Sequence, residues 1–303
     1  MVVRAYAQLA LSMALVGLSL PASKALLAYM PPLATAGMRF ALIALLLAPW
    51  ALRGGRRALP QTAGDWLSLT LLALFGMVLF NVFLLYGLRQ TSAVAAGIIT
   101  STIPAATALC AALILRERLT PSGIAAVLLA VAGIAAINLQ SGGHGGGAGE
   151  SLLGNALVFG AVVSEGLYGV FARRLGGRVP ALTLTFLANV ISAVLIAPAA
   201  LLTLDGFQPA AVPPAIWGLF LVSGLAGGLV AVVLWMRGIV HVPASRAGLF
   251  TGLIPAAGVA AAVLALGESF TAAHGFGLAC VFLGIALGTG ALSWRRGNRP
   301  LEQ

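Results

Sequence analysis

Apolar runs of helix length recur along the whole chain, separated by short polar breaks. They lie near residues 5–27, 33–53, 66–88, 92–115 and 122–139, and again near 152–172, 181–203, 214–236, 244–266 and 272–294. Each is close to the roughly 20 apolar residues that a helix needs to cross a hydrocarbon core of about 30 Å. The pattern predicts an all-α membrane protein of ten transmembrane helices. Its connections are too short to hide a soluble domain. The first run, behind Arg4, has the look of a leader peptide, but it continues to Leu27 without a small-residue cleavage site and has a counterpart later in the chain, so it is read as the first span.

The break between the fifth and sixth runs is Ser141-Gly-Gly-His-Gly-Gly-Gly-Ala-Gly149, too polar and too flexible to hold structure in lipid. It divides the chain into a first five-helix repeat at 1–140, an outer linker at 141–151 and a second repeat at 152–296, followed by a tail at 297–303. The halves match each other. An offset of 151 superposes Gly97 on Gly248, Thr100 on Thr251, Ile103-Pro104-Ala105-Ala106 on Ile254-Pro255-Ala256-Ala257, Glu117 on Glu268, Trp66 on Trp217 and Gly76 on Gly227. An offset of 149 pairs Pro49 with Pro198, Gly17 with Gly166 and Lys24 with Arg173. Composition alone yields chance Ala and Leu matches, not runs with Pro, Glu, Trp and Thr. Because five is odd, two such units enter the membrane from opposite sides, which makes them inverted repeats, a layout many secondary transporters use.

Charge sets the orientation. With a cytoplasmic N-terminus, the inner side holds Arg4, Arg53, Arg56, Arg57, Arg116, Arg118, Arg173, Arg174, Arg178, Arg237, Arg295, Arg296 and Arg299, against Lys24 and Arg89 outside. Thirteen against two satisfies the positive-inside rule and puts both termini in the cytoplasm. The five tryptophans fall at span ends, as an aromatic belt requires. The net charge of +10 is therefore orientation signal dispersed in short loops, not a nucleic-acid surface. Cys110 and Cys280 sit singly in spans and form no metal or redox motif, and nothing in the pattern asks for a metal or cofactor. The partners expected are the lipid bilayer and a small-molecule substrate, with the chain a monomer or weak homo-oligomer.

The segment Gly87-Leu-Arg-Gln-Thr-Ser-Ala-Val-Ala-Ala-Gly97, Pro104 in mid-span, Glu117-Arg-Leu-Thr120 and Gly133 resembles the signature of the drug/metabolite transporter superfamily, EamA type. A second copy runs through Gly248, Pro255, Gly267-Glu-Ser-Phe-Thr271 and Gly284, and Arg39-Phe40 resembles the basic residue of the family's second span. Val16-Gly17 departs from the Trp-Gly common in its first span. The resemblance covers residues 5–294. It implies a ten-helix carrier in a bacterial inner membrane that exports amino acids or related metabolites, and within the family the pattern is most similar to aromatic amino-acid exporters.

The repeat also sorts candidate residues, since features present in both halves serve fold and motion more readily than substrate. Glu117 and Glu268 each end the fourth span of a half and read as interfacial capping groups. Pro104 and Pro255 lie near mid-span and read either as static kinks or as working bends that line a cavity, with Thr100 and Thr251 a turn earlier. Polar groups found in one half alone need another reason. Arg39, Asn81, Glu165 and Arg246 stand opposite Ala188, Val232, Val16 and Ala95, and each costs about 3 kcal/mol within a span unless it faces a cavity or a partner. Arg39 and Arg246 lie near boundaries and can snorkel, and Asn81 can serve as interhelical glue. Glu165 lies about 20 Å into its span, suited to bind an ammonium group or exchange a proton, or else to hydrogen-bond a neighbouring helix. Tyr168, one turn on, and Tyr86 complete the substrate-binding candidates. Rival readings are a ligand sensor that transports nothing, and an intramembrane enzyme built on Ser19 and His274, a pair that lacks any supporting donor.

Overall fold

The computed structural model describes residues 2–55, 59–114, 116, 121–141, 151–175, 178–239, 241 and 250–288. Among them there is no strand. The helices are α1 (Val2–Leu26), α2 (Pro32–Ala51), α3 (Ala63–Leu88), α4 in two pieces (Ala93–Thr100 and Ile103–Ile114), α5 (Pro121–Ser141) and α6 (Leu152–Leu175). There follow α7 (Ala181–Leu202), α8 (Pro214–Leu225, continuing through Ala226–Val230 into Ala231–Ile239), α9 (Phe250–Leu266) and α10 (Ala272–Gly288). Seven of these are long and apolar enough to cross a membrane, and the two pieces of α4, bent by 40°, bring the number to eight. The helices α9 and α10 are apolar but shorter. The runs expected at 244–266 and 272–294 extend into 242–249 and beyond 288, outside the described residues. Large aliphatic side chains face outward from many of them, with Leu202 83% and Leu264 85% exposed. In water such a surface is untenable, so the protein is membrane-embedded and multi-pass.

Local chemistry starts and stops these helices. Prolines open α2 and α8, where a missing N–H costs nothing. Thr62 caps α3 by accepting from Asp65 N, and its hydroxyl donates to Asp65 Oδ2. Arg178 then bonds Asp65 at 3.0 Å and ties the start of α3 to the segment leading into α7. Ser92 caps α4 through Ala95 N. At the end of α9, Gly267 takes the left-handed conformation (φ 67°) that only glycine adopts cheaply, and Glu268 N–H returns to Ala262 O.

Packing follows the internal repeat. The main contacts join α2 to α7, α5 to α10, α1 to α9 and α8, and α6 to α4 and α3. Moving every helix on by five places turns this set into itself. Glycines make the close approaches possible, and they come in matched pairs. Gly17 of α1 lies against Ile254, Ala257 and Gly258 of α9, as Gly166 of α6 lies against Ala106 and Cys110 of α4. Gly87 meets Val158, and Gly238 meets Leu9. The first helix of each half is thus clasped by the third and fourth helices of the other, so the core is interdigitated across the two halves. Both third helices also widen into a π turn at the same place, Ala73–Leu79 and Ala226–Val230, each containing the glycine of the pair Gly76 and Gly227. Gly17→Leu is expected to destabilise the protein by about 1–3 kcal/mol because its side chain must displace backbone of α9. A thermal-unfolding scan in detergent checks this, and an unchanged midpoint contradicts the clasp.

Candidate functional site

The bend in α4 builds the site. Three successive hydroxyls turn back on the helix: Thr100 donates to Ala96 O at 2.8 Å, Ser101 to Gly97 O and Thr102 to Ile99 O at 2.6 Å each. Such back-bonding bends helices. A new helical piece starts at Ile103, so Pro104 occupies a first turn, where no N–H is required. In α9 the 3₁₀ turn Phe250–Gly252 precedes Leu253 and Pro255 in the same way. The prolines therefore mark the resumption of a helix rather than break the middle of one.

The bend, the two π turns and the glycines leave a cavity of about 510 Å³ between the halves. Arg39, Asn81, Thr100, Pro104, Glu165 and Thr251 all line it. Three of the described sequence candidates do not. Tyr86 packs against the hydrophobic core, and Pro255 is buried within α9, outside the lining. Tyr168 lies over Gly76 and lines a smaller neighbouring cavity of about 230 Å³, which shares Gly76, Met77 and Glu165 with the larger one. Arg246 and Glu117 lie outside the described residues.

Arg39 reaches the cavity from α2. Its Nη2 donates to Ser23 Oγ at 3.4 Å, a long bond, while Nε is buried with no partner among the described residues. A buried guanidinium with donors to spare is suited to a planar anion such as a carboxylate. Asn81 follows the π turn of α3, and its Nδ2 donates to Met77 O at 2.8 Å, filling the backbone acceptor the wider turn exposes. Glu165 is half-buried on α6, and among the described residues none hydrogen-bonds or ion-pairs with it. The remainder of the wall is mostly apolar, with Leu20, Met77, Phe80, Leu84, Ile254 and Ile285 prominent. The arrangement brings one guanidinium and one carboxyl group into a single, mostly apolar chamber.

Some lining positions escape single-sequence reasoning. Ser23 and Ser223 line the chamber, as does Ser19, which the sequence offers only as a nucleophile. The face Val16, Ser19, Leu20, Ser23 recurs at helical spacing, which is the sequence signal for it. Ser19 Oγ donates to Val16 O at 2.6 Å, and His274 Nδ1 meets Thr271 Oγ1 at 3.0 Å, so each is occupied near its own backbone. Glu268 caps a helix, as expected, but of the other half. Its Oε1 accepts from Lys24 Nζ at 2.7 Å and Ala93 N at 2.9 Å, and its Oε2 from Val94 N at 2.9 Å. Lys24 Nζ also donates to Thr91 O at 2.7 Å. One carboxylate thus clamps α1, α4 and α9 together where α1 ends.

Comparison with known proteins agrees with this architecture. The EamA-like transporter family matches twice, at residues 3–139 and 152–289. The chain is 32% identical over 283 residues to the uncharacterized transporter YetK of Bacillus subtilis, covering 93% of this chain and 85% of that one. It is 27% identical over 280 residues to an uncharacterized transporter of Archaeoglobus fulgidus, covering 91% and 95%. A crystal structure with 21% identity superposes at a TM-score of 0.63 over 95% of this chain and 98% of its own, a likeness of fold. By both family match and relatedness, this membrane protein belongs to the EamA-like transporter family.

Proposed function

We propose that the protein is a secondary transporter that exports amino acids, aromatic ones among them, and related small metabolites across a bacterial inner membrane. It does so by alternating access around the midplane chamber, with ten spans in two inverted repeats and both termini in the cytoplasm. The observation that carries the substrate class is the presence of Arg39 and Glu165 in one chamber that is otherwise largely apolar. A zwitterion offers a carboxylate to Arg39 and an ammonium to Glu165, while its side chain lies against Leu84, Phe80 and Ile103. The ten-span reading takes α9 and α10 as spans beside the other eight, and the contact set that survives a shift of five helices supports the paired repeats. Repeats that clasp each other's first helix have two equivalent arrangements, and exchange between them opens the chamber on alternate sides.

Counterflow in proteoliposomes tests this reading. Labelled phenylalanine or leucine is expected to enter against unlabelled amino acid in a saturable manner. The matching amine without a carboxylate, and the acid without an ammonium, are expected to compete more weakly. Equal competition by all three would sink the zwitterion, and an absence of exchange with every amino acid would favour a ligand sensor.

A further inference from the structure

We propose that the smaller cavity is a second, water-filled approach to Glu165, through which a proton reaches the carboxylate without passing the substrate. The inference rests on the transport reading above and concerns its coupling. Three observations carry it.

The first is position. Successive helices are joined by short connections, so their ends alternate between the two faces of the bundle. The contacts Asp65–Arg178 at one face and Lys24–Glu268–Ala93 at the other agree with that alternation. Arg39 lies seven residues from the start of α2, on the Lys24 side, whereas Thr185 lies four residues from the start of α7, on the Asp65 side. The smaller cavity therefore meets Glu165 from the Asp65 side alone, whereas the main chamber extends from Glu165 to Arg39 and Ser23 on the Lys24 side as well as to Thr251, with Gly76 and Met77 as the shared wall.

The second is chemistry. Asn189 lines the smaller cavity and is 2% exposed, and its Nδ2 donates to Thr185 O at 2.8 Å. Its Oδ1 is left buried with no partner among the described residues. A buried acceptor in that state calls for a ligand that donates. At about 230 Å³ the cavity exceeds the roughly 10–15 Å³ that a water requires, and Glu165, Thr185, Asn189 and Tyr168 supply the several polar neighbours it needs. The third is asymmetry. In the other half, Glu165, Thr185 and Asn189 correspond to Val16, Ala36 and Phe40 at the offset of 149. The fold does not need polar groups at these places, so one half alone carries them for another purpose.

Water held between Asn189 and Glu165 relays the proton. Hydronium gives up one O–H bond as a carboxylate oxygen of Glu165 gains one, leaving carboxylic acid and water, and the return step reverses this with no change of oxidation state. The other titratable groups near Glu165 are Tyr168 on the same helix, Arg39 across the main chamber and Cys110 of α4 behind Gly166. None of the residues that α7 contributes to the cavity is titratable.

The test is modification of Glu165 by a water-soluble carbodiimide with glycine methyl ester, followed by peptide mass spectrometry on purified protein in detergent. This needs neither substrate nor knowledge of sidedness, so it fails or succeeds independently of the transport reading. Two variants act on the route. Ala188→Phe fills the smaller cavity, and Thr185→Val with Asn189→Leu removes its polar atoms at nearly constant volume. Both are expected to slow labelling severalfold, and more than Ser223→Leu does from the main chamber. Should Ala188→Phe fail to fold, the double variant decides. Labelling that is unchanged in the small-cavity variants, or slowed chiefly by Ser223→Leu, overturns the proposal. So does a wild-type Glu165 that the reagent never reaches.

Discussion

Glu165→Gln is expected to weaken affinity for a zwitterionic substrate by about 10–100-fold, the change that follows from losing a charge-assisted hydrogen bond worth about 1.5–3 kcal/mol. The substitution keeps shape and hydrogen-bonding capacity, so packing of α6 against α3 and α4 should persist and unfolding temperature should move little. The physical basis is that Glu165 has no protein partner among the described residues while facing the chamber that holds Arg39. A carboxyl group in such a place takes its partner from what enters the chamber. If Glu165 instead served only to bind a neighbouring helix, Gln would serve as well, and transport of the amino acids found by counterflow would be unaltered. The measurement is the concentration dependence of exchange, repeated at two external pH values. Loss of affinity assigns the ammonium to Glu165. Loss of the pH response with exchange retained assigns it the proton alone, and no change in either removes Glu165 from the site.

The fold was largely legible from periodicity because lipid makes a severe demand: a span must be long, apolar and fully hydrogen-bonded within itself. That demand is local in sequence, so α1, α2, α3, α5, α6, α7 and α8 fall close to the expected runs. The irregular turns were not legible in the same way. The π turns at Ala73–Leu79 and Ala226–Val230 arise where two helices meet over a glycine, and a contact between distant helices leaves no periodic trace. The repeat partly compensates, because Gly76 and Gly227 stand out as a matched pair without revealing what they touch. What they touch differs. Tyr168 covers Gly76, whereas the smaller Ser19 stands over Gly227. That difference between matched positions separates the smaller cavity from the main chamber on one side and leaves the Arg39 side continuous with it.

Candidate residues divide along the same line. Arg39, Asn81 and Glu165 stand out by the cost of a polar group in lipid, a rule that needs no tertiary knowledge, and all three reach the chamber. Tyr86 stands out only as an aromatic within a span, a weaker criterion, since aromatic side chains fill cores, and it packs against the core. Ser23 and Ser223 cost little in a helix, because a hydroxyl can bond its own backbone, and so they raise no alarm in the sequence; Ser19 stands out there only as a nucleophile, not as a lining residue.

Glu268→Ala is expected to open the end of the bundle where α1 terminates. Glu268 holds three donors on two other helices: Lys24 Nζ, Ala93 N and Val94 N. Its side chain is 12% exposed and that of Lys24 29%, so water substitutes poorly for the lost partners. Removal leaves the α4 N-terminus with unsatisfied N–H groups and Lys24 without its anion, a loss of about 2–4 kcal/mol by the usual worth of charged hydrogen bonds and caps. Because the clamp joins α1 and α4 of the first half to α9 of the second, that energy opposes their separation rather than the folding of either half alone. The arrangement that is open at this end should gain population by a comparable factor, about tenfold or more. Its read-out is a cysteine placed at Leu20, which lines the chamber, in a background where Cys110 and Cys280 are replaced. In intact cells a membrane-impermeant thiol reagent should label it faster in the Glu268→Ala protein than with Glu268 intact. Lys24→Met should give a smaller increase, because both N–H bonds to Glu268 survive. Glu268→Gln should fall between, keeping an acceptor for the cap while losing the charge that attracts Lys24. If all three label at the unmodified rate while thermal stability falls, the clamp is a fastening of the fold and the gate lies elsewhere. If labelling rises in the predicted order, one carboxylate at the end of α9 sets how often the chamber opens on that side.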